Sequence, residues 1–535
     1  MRLDWDRSAT ETVTADLGPG AGLVCSVDRL ASEAGATILA AGGSAADAAI
    51  ATSAALAVTT PHMCGMGGDL FALVHTEPGP PAALNASGRA GSGADPDRLR
   101  AEGHTEMPFR GDVRSCPVPG CVDGWTALHE RFGRLPLDEV LAPAVRLAED
   151  GFAAAPLFAS ALPLLEGLEG CDELTAIRPR AGDRVLRPGV ARALRTVAAE
   201  GRHGFYGGEF GERLLEVGGG EYTADDLATP LADWVEPLGR RVWDHDAWTI
   251  PPNSQGYLSL AGAAIAEAVG VPADPSDPAW VHLLVEAARL AGFDRDEVLH
   301  GTADGEALLA DDPIAGRAAR FDPAGTARLG DRYAGGGTIF LCTADGQGGG
   351  VSLIQSNAAG FGAHVAVPGT GILLHNRGIG FSLRPGHPAE YGPGRRPPHT
   401  LSPALVTRGD GSLRSVLGTM GGDSQPQVVL QMLVRMLVHG ERPGAVIAAP
   451  RFVLTTPGNR GFDTWTRPEE HVVRIESHAP PAWDDGLRDR GHRVTRATGD
   501  VVGFGHAHLI EVDPAAGTLA GAADQRAMTG AAVPA

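Results

Sequence analysis

Ala334-Gly335-Gly336-Gly337-Thr338-Ile339-Phe340-Leu341-Cys342 decides how the rest of the chain is read: three glycines stop at a threonine, and the threonine opens an apolar run of strand character. Glycine tolerates backbone conformations closed to other residues, so the triple glycine permits a tight, strained approach to Thr338. From there the Thr338 hydroxyl reaches back to the carbonyl of Gly337. Attack shifts the acyl group from nitrogen to oxygen, water splits the ester, and Thr338 is left with a free α-amine. That amine titrates near neutrality and lies within reach of its own hydroxyl, so one residue holds both nucleophile and general base. The same letters also suit an ordinary strand that begins after a glycine turn, and the surrounding sequence must choose between the two.

Moving outward, Thr338 to Ala344 reads as a strand and Asp345-Gly346-Gln347-Gly348-Gly349-Gly350 as a turn. Val351 to Asn357 reads as the returning strand, a hairpin that carries Ser356 back toward Thr338. Further on, the apolar strand Leu413-Arg414-Ser415-Val416-Leu417 runs into Gly418-Thr419-Met420-Gly421-Gly422-Asp423. A helix with Val428, Met432 and Leu433 on one face follows. Strand, glycine turn and helix start together present backbone N–H groups at the positive end of a helix dipole, which is how an oxyanion hole is built. A phosphate-binding turn is the competing use, but no Walker lysine follows and no GxGxxG is present. His506 and His508 alternate on a strand without an obvious carboxylate partner, a pattern that fits a plain strand better than a metal site.

Upstream, Asp28 to Val58 reads as two packed helices. The first stops at Gly42-Gly43, and the second opens on Ser44 with Asp47 three residues on, a capping box. Its alanine content predicts a close-packed neighbour. Asp69 to His75 reads as a strand, Asn253 to about Leu308 as helical, and Asp311 to Asp331 as a loop that tethers Gly337. No repeat or compositional break marks a domain boundary, so the only division is the chemical one before Thr338.

Composition bounds the function. Among 535 residues, 43% are hydrophobic and 20% charged, an ordinary globular balance, and the net charge of -21 with no Lys/Arg cluster disfavours nucleic acid or an anionic membrane as partner. Six scattered cysteines without metal spacing suit reduced, buried thiols. With no apolar run of signal-peptide or membrane-spanning length, a cytoplasmic enzyme is expected.

The order of several segments resembles the γ-glutamyltransferase (glutathione hydrolase) family of N-terminal nucleophile hydrolases. The resemblance begins at Ala41-Gly42-Gly43-Ser44-Ala45-Ala46-Asp47-Ala48-Ala49-Ile50 and Gly65-Met66-Gly67-Gly68. It continues at Val118-Pro119-Gly120-Cys121-Val122-Asp123-Gly124-Trp125 and Pro251-Pro252-Asn253-Ser254-Gln255-Gly256. After Thr338 it resumes at Gly371-Ile372-Leu373-Leu374-His375-Asn376, Leu401-Ser402-Pro403 and Gly418-Thr419-Met420-Gly421-Gly422. The resemblance implies an α+β fold, a four-layer αββα sandwich. Self-cleavage would yield a large chain of residues 1–337 and a small chain of 338–535 that stay associated as one intertwined domain.

It further implies that Ser356 hydrogen-bonds the catalytic Thr338 and that Gly421 and Gly422 form the oxyanion hole. No metal or organic cofactor is required, and the substrate is a small amide, γ-glutamyl or related, passed to water or an acceptor amine. The pocket departs from the family pattern. Arg89 stands slightly off the spacing of the arginine for the substrate α-carboxylate, and Ala358 replaces an asparagine. Arg377 replaces a glutamine or glutamate, Gly380 an aspartate that holds the α-amine, and His399-Thr400 a pair of serines. Loss of the aspartate argues against a standard γ-glutamyl substrate, and Arg377 invites a second negative group. An acylase, a carbon–carbon-bond hydrolase of the same family, or an uncut binding protein are the alternatives.

Overall fold

Apolar residues alternate along the strands, and the alternation sorts them into separate cores. In Ile339–Ala344, Ile339 and Leu341 enter one core while Phe340, Cys342 and Ala344 enter another. In Asp69–His75, Leu70, Ala72 and Val74 go with the first and Phe71 and Leu73 with the second. Strands buried on both faces lie inside a layered structure. The computed structural model describes residues 13–175, 178–327, 329, 339–457, 462, 464–465, 468–497 and 503–535. Gly337 and Thr338, the proposed scission point, lie outside the described residues.

Two seven-stranded antiparallel sheets form the middle layers. The first runs from edge to edge as Ala531–Pro534, Leu23–Ser26, Ile339–Ala344, Gly350–Ser356, Asp69–His75, Ala82–Ala86 and Asp233–Val235. The second runs Val13–Leu17, Thr518–Ala523, Ala507–Asp513, Leu413–Thr419, Ala404–Thr407, His245–Thr249 and Leu238–Val242. Between them lies a core that includes Phe71, Phe340, Ile354, Leu405, Val416 and Ile510. Helices Arg29–Ala40, Ala45–Thr59 and Cys121–Phe132 cover the outer face of the first sheet, and Leu137–Asp150 packs outside them. Tyr257–Val269 and Gln425–Leu437 cover that of the second, with Pro278–Gly292 packed outside them, completing the αββα sandwich.

The capping box at the second helix is formed: Asp47 N–H donates to Ser44 Oγ at 3.0 Å and Ser44 N–H to Asp47 Oδ2 at 2.9 Å. Every residue of Ala45–Thr59 is buried, and a Cβ on Gly35 of the preceding helix would fall 2.1 Å from Thr52 Oγ1. Small residues are what let these two helices touch. All six cysteines are free and buried.

One expectation fails. Asp311–Ala318, read as loop, is a helix. Asp311 and Asp312 favour its N-terminus, but Ile314 is its single buried side chain, so no apolar period announces it. It is held from outside, by Arg317 on Asp294 at 2.8 Å and on the Leu290 carbonyl at 2.7 Å.

Candidate active site

The hairpin forms with the register the sequence implies: Ile339 pairs with Gln355, Phe340 with Ile354, and Ser356 ends the returning strand. On its other side Ser356 pairs with Asp69. Ser356 shares the face of Ile354, and Asp69 that of Phe71, so both side chains open the layer between the sheets, one position beyond Ile339. Covalent connectivity joins Ile339 to Thr338.

Ser356 Oγ accepts from the Ala358 N–H at 2.7 Å and from Arg377 Nη2 at 3.1 Å, and Arg377 Nη1 donates to Thr400 Oγ1 at 2.9 Å. The guanidinium therefore spans two hydroxyls. It is 1% exposed, its Nε has no hydrogen-bond partner among the described residues, and no described carboxylate pairs with it. Burial lowers its pKa to about 10, against the opposing pull of Asp69. Phe462 stands over it with the ring centroid 5.7 Å from Cζ, packed with Ala358 and Ile379 in an apolar wall.

His399 is committed within the protein. Its Nε2 meets Asp69 Oδ2 at 2.8 Å, and Nδ1 accepts from the Leu401 N–H at 3.3 Å, which sets the tautomer with the proton on Nε2. Burial and then Arg377 lower its pKa to about 3, so the ring is neutral at ordinary pH. Asp69 also receives the Gly88 N–H at 2.8 Å and lies 3.3 Å from His375 Nδ1. Burial alone would raise its pKa, but His375 and His399 outweigh burial and hold it well below the carboxylate range.

From the second sheet, Leu413–Thr419 crosses the start of the first. A Cβ on Gly418 would fall 2.6 Å from the Phe340 ring, so only glycine lets the strands approach. The chain then turns through Gly421, at φ +134°, and Gly422, at φ +59°, into the helix from Gln425. Both conformations favour glycine. Among the described residues, neither glycine's N–H donates to a protein acceptor. Gln255 braces the turn: Nε2 donates to the carbonyls of Gly422 at 3.1 Å and Thr400 at 3.2 Å, while Oε1 accepts from Arg295 Nε at 2.9 Å.

Of the residues singled out from sequence, Ser356, Arg377, His399, Thr400, Gly421 and Gly422 thus belong to one connected cluster. Arg89 does not join it: its guanidinium lies on Asp233 at 2.8 Å and the Gly394 carbonyl at 3.3 Å. The side chains facing the cluster from that strand end are Asn85 and Ser87, both tied to Asn253. Sequence reasoning quoted Asn253 and Gln255 without assigning them a role and passed over Asp69. A carboxylate opening an otherwise apolar strand, and amides inside a proline–glycine run, were the available signals. Among the described residues no group of His, Cys, Asp or Glu is arranged to hold a metal ion, and no described helix is long and apolar enough to cross a membrane.

Comparison with known proteins agrees with this geometry. The family model for gamma-glutamyltranspeptidase matches residues 31–534. The chain is 35% identical to an oxamate amidohydrolase proenzyme of Klebsiella pneumoniae, covering 96% of this chain and 98% of that one. It is also 35% identical, with the same coverage, to a glutathione hydrolase-like proenzyme (YwrD) of Bacillus subtilis. The crystal structure of a cephalosporin acylase from Bacillus halodurans superposes with a TM-score of 0.89 at 33% identity, covering 99% of each chain. Fold, motif order and these matches agree that the chain belongs to the gamma-glutamyltranspeptidase family, as an enzyme acting on amide bonds.

Proposed function

We propose that the chain cuts itself between Gly337 and Thr338 and that the new N-terminal threonine is the nucleophile of an amide hydrolase or acyltransferase. The observation that carries this reading is the cluster one step beyond Ile339, with Ser356 on the hairpin and, from the other sheet, the N–H groups of Gly421 and Gly422, which have no acceptor among the described residues. Thr338 attacks the carbonyl while its α-amine takes the hydroxyl proton and passes it to the leaving nitrogen. The two glycine N–H groups receive the oxyanion, and water or an acceptor amine resolves the ester. Ser356 holds the hydroxyl in line. The names of the relatives, oxamate amidohydrolase, glutathione hydrolase-like and cephalosporin acylase, support amide chemistry with a variable acyl group.

Residues 1–337 and 338–535 would remain together after the cut. Ile339–Ala344 pairs with Leu23–Ser26, Gly350–Ser356 with Asp69–His75, and Ala404–Thr407 with His245–Thr249, so both sheets interleave strands from the two pieces. Separation would require unzipping both. The test is intact-mass measurement of the purified protein together with assays on oxamate, γ-glutamyl-p-nitroanilide and a cephalosporin side-chain amide. Two co-purifying masses that meet at Gly337 and Thr338, with turnover of one of these amides, are expected; a single uncut mass after long incubation sinks the reading. Ser356→Ala should slow both the cut and turnover by about 10- to 100-fold, the loss of one hydrogen bond at the nucleophile. An unchanged rate would remove Ser356 from the mechanism.

A further inference from the structure

We propose that Arg377 dedicates this site to amides whose scissile carbonyl carries a carboxylate directly beside it, and that the pocket is closed to acyl groups anchored by a free α-amine. The inference rests on the Thr338 reading above and names its substrate class. Three observations carry it. Arg377 is a buried cation whose bonded partners are two neutral hydroxyls, with Nε left open and no carboxylate among the described residues paired to it. Asp69 and Asp423 act on this guanidinium only through space, so no anion touches it, and a carboxylate is the group its planar fork matches. The nearby acids are already committed, Asp69 to His399 and Gly88, and Asp423 Oδ2 to the Thr464 N–H at 3.1 Å.

The second observation is distance. Nη2 lies one hydrogen bond from Ser356, which stands one register position beyond the partner of Ile339. An anion held there lies beside Ser356, opposite the register position that precedes Ile339, and so on the side of the proposed nucleophile rather than at the far end of a long acyl group. The third is closure at Gly380. A Cβ there would fall 2.4 Å from the Pro398 carbonyl oxygen, so backbone fills the space an acidic side chain would need. Ala358, Ile379 and Phe462 form the adjoining apolar wall, and an ammonium is costly to bury against such a wall unpaired.

The reaction balances with water as its only co-reactant. The Thr338 Oγ–acyl bond forms as the C–N bond breaks, the hydroxyl proton leaves on the amine, and water then cleaves the ester to a dicarboxylate and restores the threonine. The discriminating experiment compares oxamate, the smallest molecule holding both groups, with oxamide, in which the carboxylate is a neutral amide. Oxalate binding to the mature protein by calorimetry provides a readout independent of turnover. We expect kcat/KM for oxamate to exceed that for oxamide by about 50-fold or more, with Arg377→Gln collapsing that ratio and weakening oxalate by a similar factor. Arg377→Lys, which keeps the charge but not the fork, should fall between. A correctly cut enzyme that treats the two amides alike, or whose ratio and oxalate affinity ignore Arg377→Gln, overturns this inference alone. An intact chain on mass measurement overturns the Thr338 reading and this inference with it.

Discussion

Thr338→Ala is expected to leave a single full-length polypeptide and to abolish amide hydrolysis, whereas Thr338→Ser should still be cut and retain activity at a reduced rate. The two variants separate chemistry from packing. Both remove the γ-methyl group next to Ile339, but only alanine removes the hydroxyl proposed to attack Gly337 and later the substrate. Because nucleophile and base reside on one residue, losing the cut also loses the base, and the two defects should appear together. Rate loss should reach at least about 10⁴-fold, since no other described hydroxyl at the site is joined to an α-amine. Denaturing electrophoresis and N-terminal sequencing read the cut, and ammonia release reads the turnover. Cutting of Thr338→Ala at the same bond, or scission elsewhere in the wild type, would refute the mechanism.

Local rules made much of this architecture legible before any coordinates. The capping box at Ser44 and Asp47, the hairpin that ends on Ser356, and the helix face of Val428, Met432 and Leu433 depend on spacing within a short window, and all three are formed. Asp311–Ala318 was missed because one buried side chain leaves no period to detect and its support comes from Asp294 and Leu290. The site shows the same division. Glycines at 421 and 422 announce an unusual backbone in the sequence itself. Asp69 looks like the polar start of a strand, and only long-range pairing with Ser356, His375 and His399 turns it into the hub of the cluster. Arg89 illustrates the opposite case: its place in a motif suggested a ligand, but it lies beyond the end of the strand Ala82–Ala86, and long-range partners decide its place, Asn253 holding Asn85 and Ser87 while Asp233 holds Arg89.

That hub leads to the second large effect. Asp69→Asn should destabilise the fold by about 3–5 kcal/mol, the usual result of removing one partner from a buried charged network. The substitution keeps size, so the cost is electronic. An asparagine oxygen can still accept from Gly88, but its NH₂ group then faces the protonated Nε2 of His399, donor against donor. Turning the imidazole tautomer over to relieve that contact forfeits the Leu401 N–H bond to Nδ1, and no arrangement satisfies every group. The carboxylate is depressed in the folded state, so its contribution is complete above the unfolded value of about 4 and is lost as pH falls through the folded value. The gap between parent and variant should therefore stay constant from pH 8 to 5 and narrow only below about pH 4. Measured by denaturant titration in the Thr338→Ala background, where the chain stays in one piece, a midpoint unchanged by Asp69→Asn would show that His399 and His375 are held without it.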